Sequence, residues 1–293
     1  MDVDVNLMPD DPMTEWYRLV YIQFLINRFV YERANAFFYK RPGDDRKVQH
    51  RDVHIWNMND VSFITTDFHK GKNFDFYCTT ETYDWKSIKP QPTRFVGHEE
   101  WRKTVFMPAQ EEQKGFVKGK DAVFEMDCAG HKGVTENWDK GKSVANIILD
   151  DCRSKGIKKM WMLFSGSGGF HGWVPWDELK RFYTGDLSQP LDLYEISEFT
   201  KTFFTDTVVS LGAKVIDGKL FLDGVELDIA PNTRRGLIRV PYSINPKTNN
   251  VVWPLTKKEF DDFTVSDVMT KFTIPYVLHN QKLKNREIPN ILA

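Results

Sequence analysis

Apolar positions Leu19, Ile22, Ile26 and Phe29 recur at helical spacing after Asp11 and Pro12, a helix-capping residue and a favoured first helical residue. They predict one amphipathic helix running to about Arg33. The pattern then changes to strand: "ANAFFY", a turn at "KRPGDD", and polar-aromatic alternation across residues 50–80, as in "VHIWNM" and "FDFYCTT". Residues 81–120 are rich in Lys, Gln, Pro and Glu, lack a period, and predict irregular surface. "DAVFEMD" reads as an apolar strand with an acidic end, "KSVANIILDDCRSKG" as a helix, and "KKMWMLFS" and "FHGWVPW" as two further strands. This order places residue 127 and residues 165–171 near one edge of a common sheet. Helical spacing returns over residues 191–211, "GKLFLDGVELD" carries hairpin turn residues, and "KKEFDDFTVSDVMTKF" predicts a last helix. No repeat or linker divides the chain, so residues 1–293 read as a single catalytic-type unit.

Charge narrows the choice of partner. Lys and Arg number 40 against 41 Asp and Glu, so the net charge of -1 gives no global attraction to a polyanion, and nucleic-acid binding requires a local basic patch. The start, "MDVDVNLMPDDPM", lacks the basic-then-apolar order of a signal peptide, and no apolar run approaches the roughly 20 residues that span a bilayer. An intracellular protein with no membrane partner is expected: cytoplasmic or nucleoid, or nuclear in a eukaryote. Cys78, Cys128 and Cys152 are odd in number and widely spaced, which argues against a disulfide framework. Cys128 and His131 form a C-x-x-H pair, but structural zinc takes four ligands and no second close pair follows, so no structural zinc is expected.

The candidate chemistry lies in three segments. Glu125 and Asp127 stand two apart in a strand, so their side chains leave one face roughly 6.6 Å apart. They could flank a Mg²⁺ or Mn²⁺ site or mark a strand end emerging into solvent. Asp228, which closes "DGVELD", offers a third acid. "FSGSGGFHGWVPW" contains four glycines, Ser165 and His171; it could be a permissive hairpin turn or a loop whose amides approach phosphate. In "IAPNTRRGLIRVPYSINPKTNN", Arg234, Arg235, Arg239 and Lys247 accompany Ser243, Asn245 and Thr248. Such a run is a solvated surface or, alternating with Leu237, Ile238, Val240 and Tyr242, a half-buried strand facing a cleft with donors for phosphate.

Taken in order, these motifs resemble the archaeo-eukaryotic primase superfamily, most closely the small catalytic subunit of DNA primases. "FEMD" is similar to its first acidic motif. "SGSGGFHGWVP" is similar to the second, with Ser165 six positions before His171, and Asp228 with "LIRVPYSINPKTNNVVWPL" to the third acid and its basic stretch. The likeness spans roughly residues 30–260. It departs from the family pattern at Glu125, which stands for an aspartate, at Asn245, which stands for a histidine, and in lacking a cysteine-rich module between the first two motifs.

The resemblance implies an α/β (α+β) fold, an N-terminal α/β module packed on a sheet-and-helix module like an RNA-recognition fold, with the site between them. It implies a primase or polymerase that makes or extends primers on single-stranded DNA from NTP or dNTP. Glu125, Asp127 and Asp228 would hold two divalent ions, Mg²⁺ or Mn²⁺. Ser165, Ser167, His171, Arg239, Ser243, Asn245 and Lys247 would bind the nucleotide. A primase large subunit or other replication protein is the implied partner. A gap-filling polymerase that needs a primer end and a noncatalytic DNA-binding paralogue are the alternatives.

Overall fold

The computed structural model describes residues 12–40, 47–55, 57–62, 64–65, 74–87, 115–128, 138–264, 266–267, 271 and 288–292. The chain opens with α1 (Pro12–Arg18) and α2 (Val20–Val30), then β1 (Asn35–Lys40), β2 (Lys47–Val53), α3 (Met58–Ser62) and β3 (Phe74–Thr79). The short strands β4 (Glu81–Tyr83) and β5 (Val117–Lys120) lead to β6 (Ala122–Asp127), α4 (Trp138–Ser154), β7 (Trp161–Phe164), β8 (Gly169–Val174), α5 (Trp176–Leu179) and α6 (Leu193–Ser210). There follow β9 (Lys214–Ile216), β10 (Lys219–Leu222), β11 (Val225–Asp228), β12 (Leu237–Arg239), β13 (Ile244–Asn245), β14 (Asn250–Val251), β15 (Trp253–Leu255) and α7 (Lys257–Asp261).

Two principal sheets carry the fold, ordered β12-β3-β1-β2 and β15-β7-β8-β6-β11-β10-β9. Every pairing among the described strands is antiparallel. The α/β (α+β) reading therefore holds, with helices on antiparallel sheets. On the large sheet, Phe124 packs on Phe204 of α6 and Phe170 on Trp138 of α4. The opposite face meets the first module, where Phe29 of α2 makes edge contacts with Trp161 and Trp173. Burying such aromatic surface is worth about 25 cal/mol per Å² of apolar area, and one continuous core contains residues of both sheets.

Several expectations need correction. The first helix is two, because Leu19 is extended (φ -66°, ψ 118°). Both aromatic residues of α1 are tied to the late chain: Trp16 Nε1 donates to the Tyr242 carbonyl, and the Tyr17 hydroxyl accepts the Ile244 amide. These bonds fix α1 independently of α2. The alternation over residues 50–80 is interrupted by α3. Residues 81–120 are not wholly irregular surface. β4 pairs with β5, and Glu81 and Lys120 are completely buried partners 2.8 Å apart; residues 88–114 lie outside the described residues. Of the predicted turn "KRPGDD", Lys40 ends β1 and residues 41–45 are outside them, as is His131 of the C-x-x-H pair.

The last predicted helix is interrupted: α7 ends at Asp261 behind a Thr256–Glu259 capping box, Phe263 turns into the core, and Ser266 and Asp267 are helical again. β6 is the central strand of the large sheet, so Asp127 lies at a strand end rather than at the sheet edge. The Arg234–Tyr242 segment is not a continuous strand: Arg234 and Arg235 precede β12, and Arg235 (φ 56°) and Tyr242 (φ 66°) have left-handed backbones that interrupt extension.

Candidate active site

The central strand supplies the acids. In the β6–β11 register, Glu125 lies opposite Asp228 and Asp127 opposite Glu226. Opposed side chains share a face, so "FEMD" and "VELD" set two Glu–Asp pairs against each other, with opposed Cβ atoms about 5 Å apart. On the other flank of β6, Glu125 faces His171 of β8 and Asp127 faces Gly169. A cleft of about 130 Å³ is lined by all four carboxylates, Ser165, Ser167, His171, Arg239 and the glycine loop. Asp228 stands at the exposed rim and accepts the Ala230 amide. Its carboxyl is nevertheless pushed up, first by partial desolvation and further by Glu125 and Glu226, against the lowering effect of that amide.

His171 is 2% exposed, flanked by Glu125 on one side and Leu163 on the other. Its Nε2 lies 3.6 Å from Glu125 Oε1, too far for a hydrogen bond, and its Nδ1 has no partner among the described residues. The glycine loop is built by local bonds: Ser165 Oγ accepts the amides of Ser167 (3.4 Å) and Gly169 (3.1 Å), and Gly166 has φ 79°. Gly169 answers to the protein's own backbone, since a Cβ there would stand 1.8 Å from the Met126 carbonyl oxygen. Ser167 and Gly168 are the loop residues that line the cleft without being enclosed by it.

Arg239 reaches the cleft from the smaller sheet. β12 pairs with β3, opposing Arg239 to Tyr77, and the guanidinium donates to Asp75 (2.8 Å), the Tyr77 hydroxyl (2.9 Å) and the Ser165 carbonyl (3.4 Å). It therefore ties both sheets to the glycine loop. Ser243, Asn245 and Lys247 are not brought to this cleft. Ser243 is buried with its hydroxyl on the Val240 carbonyl, and Asn245 is buried and accepts the Lys247 amide. Lys247 is exposed on the β13–β14 turn. That hairpin supports the glycine loop from behind, with Thr248 donating to the Gly166 carbonyl.

No family model matches the sequence. A curated relative, DNA primase small subunit PriS of Hyperthermus butylicus (strain DSM 5456 / JCM 9403 / PLM1-5), is 47% identical over 53 residues, which are 17% of this chain and 14% of that protein. Among solved structures, the polymerase domain from Mycobacterium tuberculosis Ligase D in complex with DNA aligns with 92% of this chain and 88% of that chain, at 14% identity and a TM-score of 0.53. This chain has an archaeo-eukaryotic primase-type fold.

Within that primase-type fold, the acids have the chemistry of a hard-cation site, with carboxylate oxygens on one face of the sheet. Their chemistry fits divalent ions. Their spacing is open, and no group of three or more His, Cys, Asp and Glu side chains among the described residues is arranged to hold a metal ion. Cys128 belongs to the core: its buried thiol lies against Gly141 of α4, and burial pushes its pKa up to about 12. No helix among the described residues is long and apolar enough to cross a membrane.

Sequence reasoning missed Glu226 in the cleft lining and three residues that pair with its charged groups. Glu226 was signalled by the E-x-D spacing that "VELD" shares with "FEMD", and Asp75 and Tyr77 by the strand alternation of "FDFY". Lys219, whose ammonium lies 2.7 Å from Glu226, had no signal beyond its position after a hairpin turn.

Proposed function

We propose that the protein is a DNA-dependent nucleotidyltransferase that synthesises or extends primers on single-stranded DNA, using NTP or dNTP. The observation that carries this reading is the cross-strand carboxylate set beside His171 and the glycine loop, in one cleft of a primase-type fold. Glu125, Asp127 and Asp228 would hold two divalent ions, Mg²⁺ or Mn²⁺, which lower the pKa of an attacking 3′-hydroxyl and offset charge on the leaving pyrophosphate. The chain's other groups bind and orient. Arg239 would place positive charge at the mouth of the glycine loop, His171 would meet the triphosphate from the floor of the cleft, and Ser165 would hold the loop's shape through the bonds it accepts. This is electrostatic preorganisation without a covalent intermediate. Ser243, Asn245 and Lys247 would act through the hairpin that backs the loop. The relative's name as a small subunit supports a partner of the primase large-subunit kind.

A second reading, a polymerase that only extends an existing end, is favoured by the likeness to a polymerase domain of a ligase. Incorporation of labelled nucleotide on bare and on primed single-stranded DNA, with Mg²⁺ or Mn²⁺ and each nucleotide set, tests both. Product on the bare template supports the primase reading, and product on the primed template alone supports the second. DNA binding without product from either template overturns both in favour of a noncatalytic DNA-binding paralogue.

A further inference from the structure

The cleft holds more negative charge than three acids. Glu226 lies opposite Asp127 and two residues from Asp228, so its side chain leaves the same face of the sheet. Like charges directly opposed across strands destabilise a sheet, and here two opposed carboxylate pairs stand side by side. Among the described residues, the two cations at the cleft are already committed. Arg239 is paired with Asp75 at 2.8 Å, while Lys219 places its ammonium 2.7 Å from Glu226 Oε1 and 2.9 Å from Oε2, capping both oxygens.

Lys219 is held there by the backbone. It follows the Asp217–Gly218 turn, whose φ values of 50° and 77° suit a tight two-residue hairpin, and it pairs with Ile216. One strand further in, Phe221 lies opposite Glu226, so Lys219 and Phe221 share the face that carries the acids.

We propose that Glu226 is a fourth carboxylate of this cation site and that Lys219 is its tethered counter-ion, competing with divalent cations for the same oxygens. The inference rests on the three-carboxylate reading above and deepens it. Lys219 would neutralise the acids when no divalent ion is bound and swing towards solvent when one arrives; its side chain is 47% exposed, so the release is unobstructed. The device would set the threshold concentration at which the site loads.

The test is direct Mn²⁺ binding to the whole protein, followed by electron paramagnetic resonance of the free ion, without nucleotide or DNA. Lys219→Met should tighten Mn²⁺ binding about two- to fivefold, the range expected for removing a partly exposed ion pair. Lys219→Arg should behave as wild type. Glu226→Gln should weaken binding and erase the gain when combined with Lys219→Met, a coupling that a merely structural lysine would not produce. Thermal melts of each variant verify folding. If wild type binds Mn²⁺ and Lys219→Met leaves that affinity unchanged or lowers it, the counter-ion proposal is overturned while the carboxylate site stands. If wild type does not bind Mn²⁺, or Asp127→Ala binds it equally well, the site and the proposal fall together.

Discussion

Two clusters of charge in this protein show opposite accounts. At the seam between the modules, Lys120 and Glu81 are fully buried partners, and Arg33 pairs with Asp121, their side chains only 6% and 4% exposed. Two cations meet two anions, and most of the other donors are used, Arg33 Nε having no partner among the described residues. The Lys120 ammonium also reaches Thr80, Pro231 and Thr233, and Arg33 reaches the carbonyls of Thr79 and Thr80. In the cleft, Glu125, Asp127, Glu226 and Asp228 share one face with Lys219, and Arg239 is matched to Asp75. A balanced, buried cluster fixes the positions of chain segments. Among the described residues the cleft carries more acids than cations, an excess that suits a ligand's positive charge.

The largest expected effect would break the first half of that comparison. Lys120→Met leaves Glu81 buried without its counter-charge and should cost about 3–5 kcal/mol of stability, read from a denaturant titration. A loss below 1 kcal/mol would mean that the seam is not sealed. Asp127→Ala should do the reverse: nucleotide incorporation falls about a hundredfold or more, while stability stays within about 1 kcal/mol of wild type because one of several repelling acids is gone. Near-normal incorporation would remove Asp127 from the chemistry. Smaller still, Arg239→Ala and His171→Ala should raise the apparent Michaelis constant for nucleotide about tenfold, or 1.4 kcal/mol, with single-stranded DNA affinity in gel shifts unchanged. An equal loss of DNA affinity would place them on the template path.

The smallest effect concerns Asn245, where the resemblance invites a histidine. Asn245 is buried and bonded to the Lys247 amide behind the loop, so Asn245→His should give no pH-dependent gain in nucleotide affinity between pH 6 and 8 and should lower stability by about 1 kcal/mol. A gain that grows towards pH 6 would show that residue 245 reaches the triphosphate.

The same contrast explains what could be read from the sequence. β6, α4, β7 and β8 were legible because their apolar periods are strong, and Glu125, Asp127, Asp228 and His171 because they lie at fixed places within that order. The seam was not legible: a lysine and a glutamate 39 residues apart look like surface until the fold buries both. The break at Leu19 was hidden as well, since bonds from α1 to residues 242 and 244, over 220 positions away, decide it. Asn245 and Ser243 carry suitable chemistry, but local turn bonds direct them into the hairpin.

One topological detail bears on how the molecule is made. The strand Leu237–Arg239 completes the first sheet by pairing with β3, so Arg239 meets Tyr77 across 162 positions of chain. Contacts that distant form late, after the loop-closure entropy of everything between has been paid. During synthesis the large sheet's β6 to β11 emerge before the strand that seals the small one, and until then β3 presents an open edge able to pair with another chain. The arginine that completes the cleft therefore arrives with the strand that closes this edge, so a chain stalled before residue 237 has an incomplete cleft and an edge prone to aggregate.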